Sequence, residues 1–187
     1  MRNTVGILLA GGLSSRFGSP KAFARVDGVY FYEKVYKALD AVCDQVIIVT
    51  REELMPLFAK ELDLVTDLPD IKGQGPLAGI CTAMKLRQAA MYMVLPCDMP
   101  YIGPEETNAF RQLAAGTKHV TGVQTPDEKI PLFSLWKGSF AEDLERAINN
   151  GNLSVFDFLA SLETRWIDAS VIHQDQGKFR NINRNTL

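Results

Sequence analysis

The chain has 187 residues, 47% of them hydrophobic and 22% charged, with 20 Lys and Arg against 22 Asp and Glu and a formal net charge of −2. These values are ordinary for a globular protein and exclude a disordered, collagen-like or disulfide-stapled chain. One domain of this length buries roughly 70% of its unfolded surface. With no basic excess the chain carries no electrostatic footprint for nucleic acid, although a small anionic ligand stays compatible.

In chain order, short apolar runs at residues 5–10, 45–50, 64–66, 91–96, 119–124 and 131–136 predict strands. Several are apolar on both faces, as strands buried inside a parallel sheet are. Between them lie segments of helical period. Phe31, Val35, Leu39 and Val42 follow i, i+4, i+8 and i+11, and Pro76 and Pro104 stand where a first helical turn accepts proline. Gly151 reads as a helix stop, and Ser154 with Asp157 as a capped start for a helix over 155–162. The alternation predicts an α/β protein with a mostly parallel central sheet and helices on both faces.

Cys43, Cys81 and Cys97 are scattered and odd in number, with no CxxC pair, and His119 and His173 are the two histidines. Neither histidine has an acidic or cysteine neighbour at ligand spacing, so zinc and disulfide frameworks are set aside. A reducing compartment fits this usage. The apolar run at 5–10 is too short for a secretory core, and no run approaches the ~20 residues of a membrane helix. A cytoplasmic protein with no membrane partner is expected.

Ligands of such sheets bind outside the carboxyl ends of the strands, so the loops leaving strands matter most. The first reads Leu9-Ala10-Gly11-Gly12-Leu13-Ser14-Ser15-Arg16-Phe17-Gly18-Ser19-Pro20-Lys21. Glycines at 11, 12 and 18 permit close approach and positive φ, while Ser14, Arg16 and Lys21 offer donors for phosphate oxygens. The spacing is neither a Walker A loop nor GxGxxG. The second loop is Pro96-Cys97-Asp98-Met99-Pro100. A carboxylate at a buried strand end suits Mg²⁺, which takes one or two protein carboxylates. Asp98 is the candidate metal ligand, with a turn cap before Pro100 as the structural alternative. Cys97 reads as small apolar packing, since no histidine stands near it.

Together, Leu9-Ala10-Gly11-Gly12-x-Ser14-x-Arg16-Phe17-Gly18-x-x-Lys21, Gly75-Pro76-Leu77-Ala78-Gly79, Cys97-Asp98-Met99-Pro100 and the tail Phe179-Arg180-Asn181-Ile182-Asn183 resemble the signature of the molybdenum cofactor guanylyltransferases. The resemblance spans nearly the full chain. It implies a Rossmann-like nucleotidyltransferase fold over 1–187, with a nucleotide-binding half at about 1–100 and an acceptor-binding half at about 101–187. It further implies that GMP is transferred from GTP, with Mg²⁺, to the terminal phosphate of molybdenum-loaded molybdopterin, releasing pyrophosphate. Transient contact with proteins that deliver or accept the cofactor is also implied. By the resemblance, nucleotide contacts fall on Leu9, Ala10, Gly11, Lys21, Asp67 and Asp98, Gly79 lines the same site, and Asn181 and Asn183 belong to the pterin side. Gly12 and Ser14 continue the backbone cradle, and Lys21, Arg16 and Asp98 are the catalytic set. Asp67 also follows a strand candidate, although an exposed loop Asp is the alternative.

Two positions depart from the pattern: Thr50 follows the second strand where some members have Asn, and the tail ends Asn183-Arg184-Asn185-Thr186-Leu187 without the usual Asn-Thr-Pro-acid. Cytidylyltransferases of the same pathway and sugar-phosphate nucleotidyltransferases are the neighbouring readings, but their first loop typically reads Ala-Ala-Gly. A silent nucleotide-binding module is the reading from another class.

Overall fold

A computed structural model describes residues 2–12, 18–116 and 119–182. The chain begins with β1 (Arg2–Leu9) and a short hairpin, β2 (Arg25–Val26) and β3 (Val29–Tyr30), which leads into α1 (Phe31–Asp40), β4 (Gln45–Val49) and β5 (Asp63–Val65). Then come α2 (Pro76–Leu86), β6 (Ala89–Pro96), α3 (Pro104–Leu113), β7 (Val120–Gln124) and β8 (Lys129–Lys137). The last elements are α4 (Ala141–Asn149), α5 (Val155–Ala160) and β9 (Thr164–Asp168).

Seven strands form one sheet in the order β5-β4-β1-β6-β8-β7-β9. β8 pairs antiparallel with both β6 and β7, whereas the other described pairings of this sheet are parallel. The alternation of side chains sorts the core into two layers. Leu8, Ile48, Met93 and Leu95 pack with Val35 and Leu39 of α1 and Phe110 of α3. Val5, Ile7, Ile47, Val49, Tyr92 and Val94 pack on the other face with Leu77 and Ile80 of α2, Leu144 of α4 and Phe158 of α5. This is the α/β sheet with helices on both faces that the alternation predicts.

Local signals explain most boundaries. Pro76 and Pro104 each open their helix, and the Ser154 hydroxyl accepts the Asp157 N–H at 3.1 Å at the start of α5. α1 stops at Asp40, short of Val42, and α5 stops at Ala160, two residues before the expected end. Two elements are additional to the sequence reading. The β2–β3 hairpin turns on Asp27 and Gly28, both at positive φ (54° and 77°), which is the Asp-Gly pattern of a tight hairpin turn. β9 carries Arg165 and Asp168 around Trp166, so it lacks an apolar run, yet it pairs with β7 along its length. Among the described residues no helix is long and apolar enough to cross a membrane.

Gly122 of β7 lies under the Trp166 ring, where a Cβ would come within 2.6 Å and 2.9 Å of ring carbons. A rigid ring cannot yield as a flexible side-chain end does. Gly122→Ala is therefore expected to destabilise the fold by about 1–3 kcal/mol, visible as a melting point lower by roughly 2–4 °C per kcal/mol. Unchanged thermal unfolding would show that the ring is free to move away.

Candidate active site

The chain runs outward from β1 through β4 to β5, then returns to place β6 on the opposite side of β1. The crevice left where strand order reverses is where α/β sheets bind ligands. A cavity of about 650 Å³ opens there, lined by Leu9, Ala10, Gly11 and Gly12 after β1, Thr50 and Arg51 after β4, Thr66 and Asp67 after β5, and Pro96, Cys97 and Asp98 at the end of β6. The volume suits a nucleotide-sized ligand.

Backbone bonds continue the sheet ladder into these loops and hold them rigidly. The Ala10 N–H donates to the Val49 carbonyl at 2.8 Å, the Cys97 N–H to the Leu9 carbonyl at 2.9 Å, and the Thr50 N–H to the Val65 carbonyl at 2.9 Å. Gly11 approaches Thr50 and Arg51 closely enough that a Cβ would make van der Waals contact with them. The expected positive φ is found at Gly18 (78°) but not at Gly11 or Gly12. The first two glycines therefore matter for room and exposure of their backbone, not for left-handed geometry.

Lys21 begins a short 3₁₀ turn, Lys21–Phe23, that brings it back across 77 residues to the second loop. Its Nζ lies 2.9 Å from Asp98 Oδ2, with both side chains largely shielded. The pairing of the two sequence-predicted groups thus occurs at the mouth of β6, on the cavity wall. Cys97 next to them is buried, and burial together with the Asp98 charge pushes its thiol up to about 12. A thiol in that state is no nucleophile at neutral pH, in agreement with its expected packing role.

Asp67 lines the cavity half-buried, and burial raises its carboxyl above the usual range despite the Gly73 N–H on Oδ2 at 3.0 Å and nearby Lys72. Gly79 also lines the cavity, and a Cβ there would meet Leu9 Cδ2 at 2.9 Å and Val49 Cγ1 at 3.3 Å. It lets α2 lie against β1 and β4, so it shapes the cavity through packing. Gly75, Pro76 and Gly79 place the N-terminal end of α2 at the cavity, and its positive dipole end favours an anion. Asn181 reaches the same cavity from the C-terminal segment. Ser14 and Arg16 of the first loop, and Asn183, lie outside the described residues.

The structure adds residues that the motifs did not indicate. Arg51 and Lys72 line the cavity, Arg51 bonded to Glu53 at 2.7 Å and Lys72 3.9 Å from Glu52. Their signal in sequence was weak, because an Arg after one strand and a Lys in a turn look like any solvated charge. His173, read as lacking an acidic neighbour, has one in space: its Nε2 is 3.7 Å from Glu106 Oε1. Glu105, Glu106 and His173 converge, but that same Glu106 oxygen accepts from Lys178 at 2.6 Å.

Residues 6–165 match the family described as the MobA-like NTP transferase domain. The chain belongs to this family. It is 31% identical, over 98% of its length and 95% of the relative's, to the "Probable molybdenum cofactor guanylyltransferase" of Geobacillus sp. (strain WCH70). It is 29% identical, over 98% of its length and 92% of the relative's, to the protein of the same name from Bacillus cereus (strain AH820). The crystal structure of molybdopterin-guanine dinucleotide biosynthesis protein A from Archaeoglobus fulgidus superposes with a TM-score of 0.77 at 25% identity, covering 97% of this chain and 93% of that one.

In this MobA-like chain, Asp67 provides a test of how the site trades stability for charge. Its raised carboxyl means that the folded protein holds the proton more tightly than the unfolded chain, so stability gained at low pH is lost as pH rises through that range. Asp67→Asn is expected to raise the melting temperature at pH 7 and to flatten this part of its acid dependence, with the Gly73 N–H still satisfied by the amide oxygen. Thermal unfolding across pH 3–8, a range of about five units around the carboxylate value, checks it. A lower melting temperature at pH 7 would contradict the burial cost.

Proposed function

We propose that this enzyme transfers GMP from GTP to the terminal phosphate of molybdenum-loaded molybdopterin and releases pyrophosphate. The observation that carries the reading is the Lys21–Asp98 pair on the cavity wall at the strand-order reversal, in a chain of the MobA-like family. The names of the relatives support guanine as the base and the molybdenum cofactor as the product. In this reading residues 1–100 bind nucleotide and 101–187 bind the acceptor within one nucleotidyltransferase domain, located in the cytoplasm.

Attack of a substrate phosphate oxygen on the α-phosphorus needs alignment and charge neutralisation rather than a protein nucleophile. That fits a cavity whose cysteine is protonated and whose two histidines lie outside its lining. Asp98 supplies hard carboxylate oxygens suited to a divalent cation, with magnesium as the proposed one. When bound, such a cation neutralises charge on the nucleotide phosphates. Lys21, already held at Asp98, is placed to exchange its carboxylate for a phosphate oxygen and to stabilise charge on the α-phosphate and the departing pyrophosphate. The backbone at Leu9, Ala10, Gly11 and Gly12 borders the nucleotide, and Arg16 and Ser14 complete the proposed phosphate loop. Asn181 and Asn183 are assigned to the acceptor side.

The test is pyrophosphate release with GTP, CTP, ATP and UTP in turn, each with magnesium and molybdenum-loaded molybdopterin. Release with GTP alone is expected, and Asp98→Ala and Lys21→Met should each lower turnover by on the order of 10²-fold. Release with CTP would keep the chemistry and change the base. A fully active Asp98→Ala protein would falsify the assignment of Asp98.

A further inference from the structure

After β9 the chain forms the turns Ala169–Val171 and Gln176–Phe179 and then runs to the cavity at Asn181. Every hold on this strap bears on how Asn181 is presented. Phe179 is buried and stacks on Phe133, ring centroids 6.2 Å apart. The Arg180 guanidinium lies 5.5 Å from the Tyr101 ring centre. The Ile182 N–H donates to the Asp98 carbonyl at 2.8 Å, and Ile182 packs with Val26 and Phe31. The strap is therefore bonded directly to the backbone of the proposed metal ligand.

One charged contact fixes its register. Lys178, three residues before Asn181, donates to Glu106 Oε1 at 2.6 Å, and the Glu106 side chain is only 2% exposed. Its other oxygen accepts the Gly103 N–H at 2.8 Å at the start of α3. Burial alone would raise this carboxyl, but the bonds from Lys178 and Gly103 outweigh it and hold it below its usual range. A buried carboxylate strongly penalises loss of its partner, so Lys178 has one favoured seat. Lys178 and Phe179 are thus held against Glu106 of α3 and Phe133 of β8, and the next residues have little freedom in where they meet Asp98.

We propose that the Glu106–Lys178 pair is a positioning device for the acceptor wall: it sets the strap so that Asn181 faces the cavity and the Ile182 N–H meets the Asp98 carbonyl. Both are positioning residues, since neither lines the cavity. The inference rests on the transfer reaction proposed above. Its direct consequence for the acceptor is that loss of the pair loosens the pterin side while leaving the β1 and β4 loops in place, and Asp98 itself stays anchored by the β6 ladder through the Cys97 N–H on the Leu9 carbonyl.

The experiment compares wild type with Lys178→Met, Lys178→Arg and the double variant Glu106→Gln/Lys178→Met, which removes the pair without leaving a buried charge and keeps an acceptor for the Gly103 N–H. Steady-state kinetics and hydrogen exchange at the Ile182 amide are read on each folded variant. The acceptor KM should rise by about tenfold to 10²-fold in Lys178→Met and in the double variant. The KM for GTP should stay within about twofold, Lys178→Arg should recover most of the loss, and the Ile182 amide should exchange faster wherever the pair is absent. Equal rises in both KM values, or an Ile182 amide exchanging at the wild-type rate in the double variant, would overturn the proposal. If wild type itself turns over no nucleotide, the transfer reading fails, and amide exchange alone still decides whether the pair holds the strap.

Discussion

The constraint on which the site depends is the placement of β1 between two parallel neighbours that the chain reaches in opposite directions. Pairing of Leu9 with Val49 on one side and Pro96 on the other brings three strand ends level. The connecting helices then leave to opposite faces, α1 to one and α2 to the other. Among the described residues, hydrogen bonds at Ala10, Thr50 and Cys97 extend the ladder past the strand ends and hold the loop starts around the cavity in place. The backbone groups bordering this cavity at Ala10, Thr50 and Cys97 are already satisfied by the sheet, so the opening leaves them no unpaired N–H.

Charge in this cavity is arranged in pairs of unequal strength. Arg51–Glu53 and Lys72–Glu52 sit at the rim with exposed carboxylates, where solvent and salt screen them and such pairs contribute roughly 0–1 kcal/mol. Lys21–Asp98 is better shielded and lies deeper along β6.

Much of this was readable in the sequence because local and long-range signals coincide. Asp98 stands directly behind the buried apolar β6, which forces it to the carboxyl edge of the sheet, and the glycine-rich loop after β1 carries Lys21 back to it. Strand direction was not readable: residues 131–136 look like any apolar run, and only pairing with β6 and β7 makes β8 antiparallel. The β2–β3 hairpin has strands too short to show alternation, although Asp27-Gly28 marked its turn. β9 and the Glu106–Lys178 pair are tertiary facts. Seventy-two residues separate those two side chains, and no periodicity in either segment announces the other. His173 illustrates the same limit, since sequence spacing said nothing of the acid that packing puts beside it.

The buried thiol of Cys97 has a consequence for the durability of the enzyme. Burial and the neighbouring Asp98 charge keep this thiol protonated at neutral pH, and thiolate is the form that peroxides and disulfides attack. The cysteine that lines the cavity is therefore chemically quiet. Oxidation at the cavity is not expected to start at this sulfur.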